Sequence, residues 1–208
     1  MPKAHILTVI RWFALLSVCA LVSACLGKKV SEVNYDSLLS MQQMGVAAGT
    51  GGGPDLSIGI GPISVPEVLK RSQLVTRDAR NHYRFDEDHR WAGSIEQDIA
   101  YVLGDNLGYL LGQEKIAFFP WMQNFKPTHR VVIEIIEFDG QLGGEAILNV
   151  RWAIADPAGE IDLIREQSVY RQPVDGDDYA GLVRAQSQLI AMLSREIAVA
   201  LETLAAAK

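Results

Sequence analysis

Cysteine is almost absent: the 208-residue chain has two, Cys19 and Cys25, and none beyond residue 25. That excludes a disulfide framework, a cysteine-ligated metal and a thiol enzyme from the whole downstream sequence. Histidine is scarce too. Of four, the three beyond the N-terminal segment are His82, His89 and His129, and no two stand in a His-Glu-x-x-His pattern. There is no Gly-x-Ser-x-Gly elbow and no evident nucleophile–base constellation, which disfavours a hydrolase. Gly59 and Gly61 run into Pro62 and Ser64 rather than a dinucleotide or P-loop pattern, so a strand bulge is the simpler reading. Basic residues are in deficit, 19 Lys and Arg against 25 Asp and Glu. The resulting net charge of −6 argues against a nucleic-acid partner, which requires a basic face.

What the front of the chain does have is a secretion signal over residues 1–24. Lys3 and Arg11 supply positive charge, and Trp12–Val22 is apolar except for Ser17. The run is too short to span a bilayer and ends in small residues. Val22-Ser23-Ala24-Cys25 resembles a bacterial lipobox, in which small residues admit the peptidase and the cysteine thiol takes a diacylglyceryl group. Cys25 is therefore the expected lipidation site. Two or three acyl chains anchor a protein durably where one does not. By resemblance to the lipoprotein sorting rule, Leu26 rather than aspartate after the cysteine points to the outer membrane, with the domain facing the periplasm. The mature chain has 184 residues and, after loss of Lys3 and Arg11, a net charge of −8.

Residues 25–54 read as a lipidated cysteine and flexible tether. The stretch Gly49-Thr50-Gly51-Gly52-Gly53-Pro54 breaks any helix, and Asp36–Met44 at most forms a helical turn. As coil, such a tether reaches roughly 30 Å. The domain is expected over 55–208. Ile58, Ile60 and Ile63 mark a strand. Gln73–Thr76 and His82–Phe85 form a hairpin around Asp78-Ala79-Arg80-Asn81. Ser94–Leu111 has helical spacing, an N-cap serine and Gln97 three residues on; Gly104 and Gly108 allow close packing. Arg130–Phe138, Glu145–Ala155 and Ile161–Tyr170 read as a meander, with a turn at Asp156-Pro157-Ala158-Gly159. Leu182, Leu189, Leu193, Ile197, Leu201 and Leu204 stripe a last helix. The order of elements argues an α+β domain, a mainly antiparallel sheet with two main helices packed on one face. Asp86-Glu87-Asp88-His89-Arg90-Trp91 reads as a solvated loop entering the first helix. Trp91 in it either plugs the top of the core or faces a neighbour, and Phe118 and Phe119 read as core.

Ile60-Gly61-Pro62-Ile63-Ser64-Val65-Pro66, then Gln73-Leu74-Val75-Thr76-Arg77, resembles the front of the PqiC-like auxiliary lipoproteins of ABC-type transport. The spacing to Phe85, to Arg90-Trp91-Ala92 and to the Ile95–Leu111 helix fits as well, as does Asn149-Val150-Arg151-Trp152 before a C-terminal helix. With the lipobox, the similarity covers nearly the whole chain. In place of the paired tyrosines that often open the mature domain in that family stands Tyr35 alone. The resemblance implies a non-enzymatic docking subunit of an intermembrane lipid-transport system. Its implied partner is an MCE-domain protein, and it is expected to self-associate and to need no cofactor beyond the lipid on Cys25. Trp91, Arg90, Tyr83 and Phe85 are the candidate interface or structural residues. The alternative is a monomeric periplasmic carrier of a lipid or other hydrophobic ligand, for which a deep apolar pocket is expected.

Overall fold

The computed structural model describes residues 32–47, 55–78 and 80–207. The signal, Cys25 and the 48–54 stretch lie outside them. A compact unit runs from Val33 to Lys208. Its strands are β1 (Asn34–Asp36), β2 (Ile58–Ser64), β3 (Gln73–Arg77), β4 (Tyr83–Trp91), β5 (Ile116–Phe118), β6 (His129–Gly140), β7 (Glu145–Ala155) and β8 (Asp162–Pro173). Helix α1 (Ile95–Leu111) lies between β4 and β5, and α2 (Tyr179–Ala206) closes the chain.

The architecture is α+β, with one refinement: there are two mixed sheets. The larger has the order β5-β2-β6-β7-β8 and the smaller β1-β4-β3. The long pairings, β6 with β7 and β7 with β8, are antiparallel. Parallel pairing is confined to the short contacts of β2 with β5 and β6, and of β1 with β4.

The alternation in β7 does what its period requires. Ala146, Leu148, Val150, Trp152 and Ile154 are buried in the core shared with the helices. On the opposite face Arg151 meets Glu134 of β6 at 3.3 Å, and Glu145 meets Arg171 of β8 at 3.1 Å. In α1, the Ser94 hydroxyl accepts the Gln97 amide and Gly112 closes the helix in the left-handed region at φ 64°. Such a cap satisfies an otherwise orphaned donor, and glycine takes the left-handed conformation without a Cβ clash. The Asp178 carboxylate caps α2 by accepting the Gly181 amide at 2.8 Å. Leu182, Leu189, Leu193, Ile197 and Leu201 of α2 are fully buried.

Two elements depart from the sequence reading. The 86–91 stretch is not a loop: β4 continues to Trp91, because β3 on one side and β1 on the other take up its backbone bonds despite its charged side chains. The folded unit also takes in Val33–Ala47, which the sequence assigns to the tether. That segment lies along both helices, with Leu38 and Met41 buried. The Leu38 amide donates to Asp98 Oδ2 at 2.7 Å and the Met41 amide to Asn106 Oδ1 at 2.7 Å, both on α1. The Leu39 amide donates to Ser187 Oγ of α2 at 3.0 Å. Asn106 in turn donates to Ser194 of α2 at 3.0 Å, tying the helices beneath the segment.

Candidate functional site

The four singled-out residues share β4 but not one environment. Trp91 is 6% exposed and belongs to the core, and its amide donates to Ser72 O at 2.7 Å. Arg90 pairs with Glu87 of its own strand at 3.1 Å. Tyr83 and Phe85 are exposed, each under a guanidinium: Arg77 lies 4.8 Å from the Tyr83 ring centroid and Arg71 4.8 Å from that of Phe85. His89 stacks on Tyr179 of α2 with centroids 4.4 Å apart and contacts Asp36 at 3.3 Å. The strand is thus plugged at one end by Trp91 and presents two cation-capped aromatics at the other. Among the described residues no three acidic, histidine or cysteine side chains cluster as a metal site.

Arg77 joins the two sheets. From β3 it reaches Asp139 at 2.7 Å and Glu137 at 2.9 Å, both on β6, and it donates to the Tyr83 hydroxyl at 2.7 Å. Burial pushes the Asp139 carboxyl above its ordinary value, against the pull of Arg77. A second polar chain ties β8 to α2: Trp152 Nε1 donates to Ser168 at 3.2 Å, Ser168 donates to Glu196 at 3.0 Å, and the Tyr170 hydroxyl donates to the same carboxylate. Burial, and then Glu196, raise the Tyr170 pKa well above its usual range.

The sheet face away from the helices carries a polar row. Glu134, Arg151, Gln167 and Asn149 form a hydrogen-bonded row across β6, β7 and β8. Two edges terminate the sheet, the three-residue β5 and the twelve-residue β8.

Next to β5 the chain makes an aromatic loop. Strand alternation turns Phe118 inward, where it packs over Gly104 and meets Tyr101 edge-on at 4.8 Å. Phe119 is consequently outward and 55% exposed, contrary to the core reading. Trp121 lies against Gly59, where an added Cβ would sit 3.0 Å from its ring, and Phe119 likewise approaches Gly61 to 2.9 Å. The expected bulge is present between Ile60 and Ile63, but these contacts give the two glycines a further reason. Ala117, Phe118, Pro120, Trp121, Met122, Asn124 and Phe125 line an open groove of about 460 Å³. The sequence signal for this loop was its run of aromatics; the inward and outward assignment was not in it.

Two helices pack on one face of a mixed sheet with the N-terminal segment strapped across them, which makes a small α+β domain; no helix among the described residues is long and apolar enough to cross a membrane. Residues 38–198 match the family described as ABC-type transport auxiliary lipoprotein component. The chain belongs to that family, which includes the PqiC-like proteins. Two crystal structures share the fold. One, described as an uncharacterized protein, has 16% identity, a TM-score of 0.61 and coverage of 81% of this chain and 99% of its own. The other, protein XCC0632 from Xanthomonas campestris, has 9% identity, a TM-score of 0.62 and coverage of 74% and 88%. No curated protein matches the sequence.

Proposed function

We propose that this auxiliary lipoprotein is a non-enzymatic docking subunit, anchored through Cys25 in the outer membrane and facing the periplasm. In this reading it receives an MCE-domain protein of an ABC-type lipid-transport system and supports membrane integrity. The observation that carries the proposal is membership of the auxiliary lipoprotein family across residues 38–198. The lipobox at Val22–Cys25 and the leucine after it support the address.

Self-association is part of the reading. Lipid anchoring concentrates copies in one leaflet, and β8 offers a twelve-residue edge with no strand on its far side among the described residues. Natural sheets cover or pair such edges, and head-to-tail contacts between identical copies close into rings when the rotation permits. The carrier alternative calls for an enclosed cavity, and the aromatic groove is open.

Two experiments test this. Affinity capture of the lipoprotein from detergent-solubilised envelopes is expected to bring down an MCE-domain protein, and light scattering to give more than one copy per particle. A monomer that captures no such protein would favour the carrier. Separately, Cys25→Ala is expected to leave an unprocessed precursor that takes up no palmitate analogue; retained labelling would move the lipid elsewhere.

A further inference from the structure

Residues 115–133 stand apart in an acidic chain: they hold Lys115, Lys126 and Arg130 and not one aspartate or glutamate. Asp55 neutralises Lys115 at 2.9 Å. Lys126 and Arg130 therefore set the local charge, and between them and β5 lie Phe119, Trp121, Met122 and Phe125.

The loop is built rather than merely apolar. Trp121 is seated over Gly59, where an added Cβ would meet its ring at 3.0 Å. It is flanked by Phe119 edge-on at 5.5 Å and by the Arg130 guanidinium 5.0 Å from its ring centroid. The Phe125 amide closes a turn on Met122 O at 3.0 Å. Behind the loop, Phe118 is wedged into the gap left by Gly104. These contacts hold the tip outward, with Phe119 55% and Met122 78% exposed. Nothing in the core uses Met122, and a surface already ordered in its bound shape loses little freedom on binding.

Aromatic and thioether side chains beside cations, in a stretch of chain that holds no carboxylate, match the chemistry of a phospholipid headgroup layer. Aromatic rings favour that depth, and basic side chains are drawn to anionic lipid. We propose that the 118–126 loop is a second membrane contact, seating Phe119 and Met122 among the headgroups of an anionic phospholipid bilayer while Lys126 and Arg130 meet the phosphates. A lipid anchor elsewhere on the same chain raises the effective concentration of such a surface, so a weak contact is sufficient. The proposal rests on the family's lipid anchor and not on the MCE docking reading, whose partner capture is scored separately.

The test uses the full lipoprotein reconstituted into vesicles of phosphatidylglycerol and phosphatidylcholine. They carry a phosphatidylcholine spin-labelled just below its headgroup, which quenches nearby tryptophan. Trp91 and Trp152 are buried and serve as the unquenched reference. Partial quenching is expected with phosphatidylglycerol present, and weaker quenching in phosphatidylcholine alone or at high salt. It should be lost in Trp121→Phe, and also in Met122→Asp and Lys126→Glu, whose exposed positions leave the melting temperature unchanged. Three results would each overturn the proposal. One is quenching in Trp121→Phe equal to wild type. Another is quenching in Met122→Asp unchanged from wild type. The third is equal quenching by a spin-labelled short-chain phosphatidylglycerol below its micelle concentration, which would make the groove a site for single lipids.

Discussion

Asp98 sits in the first turn of α1 and accepts the Leu38 amide, so one carboxylate serves both helix start and N-terminal strap. Burial raises its pKa above the ordinary 3.8, with the Leu38 hydrogen bond opposing. Because the fold favours the protonated form, the cost of the charge is absent below the unfolded value and grows as pH rises through the raised folded value. Asp98→Asn keeps an acceptor and removes the charge. Its melting temperature relative to wild type is therefore expected to be higher at pH 7 than at pH 4.5, and the opposite trend would refute the assignment. Asp98→Ala should be less stable at both, since it orphans the Leu38 amide. Trp91 is a simpler case. Removal of a buried large ring typically costs about 3–5 kcal/mol, and Trp91→Ala is expected to show a loss of that order in chemical denaturation; an unchanged midpoint would place the ring at the surface.

At the scale of elements, α1 and β5 are fitted through Gly104 and Phe118. An alanine Cβ at 104 would come within 2.6 Å of the Phe118 ring. Glycine in a helix interior normally costs about 1 kcal/mol relative to alanine, so Gly104→Ala alone on an exposed helix would stabilise. Here it is expected to lower the melting temperature, and Phe118→Leu in the same chain to recover part of the loss; additive effects would show that the two do not touch. The helices, the meander and its turn were legible in the sequence because their signals are local. Ser94 with Gln97, the β7 alternation and the Leu stripe of α2 each lie within one element. In the sequence β4 ends early, because Asp86-Glu87-Asp88 reads as loop while its pairing partners stand elsewhere in the chain. The strap was invisible for the same reason. Leu38 and Met41 are two apolar residues in a polar stretch, and their amides bond to side chains at least 60 positions away. Of the candidate surface, the aromatics at 118–125 could be read off, but which ring faces in depends on Gly59, Gly61 and Gly104 lying opposite.

For the whole molecule, the strap makes the domain boundary a matter of energetics. A chain beginning at Leu56 would expose Leu38's and Met41's sites on the helices and take from Asp98 and Asn106 the amides they accept. Each lost hydrogen bond is worth roughly 0.5–1.5 kcal/mol net, in addition to the lost apolar contacts. Such a chain is expected to melt well below one beginning at Val33, and equal melting would make the strap dispensable. The strap also shortens the mooring. If the proposed lipid is on Cys25, the fold takes hold of the chain at Val33, eight peptide steps away, and covalent geometry bounds the distance between them at about 28 Å. On the proposed anchoring, the domain is held within that reach of its membrane. On the same reading, a partner reaching it from across the periplasm has to supply the remaining length.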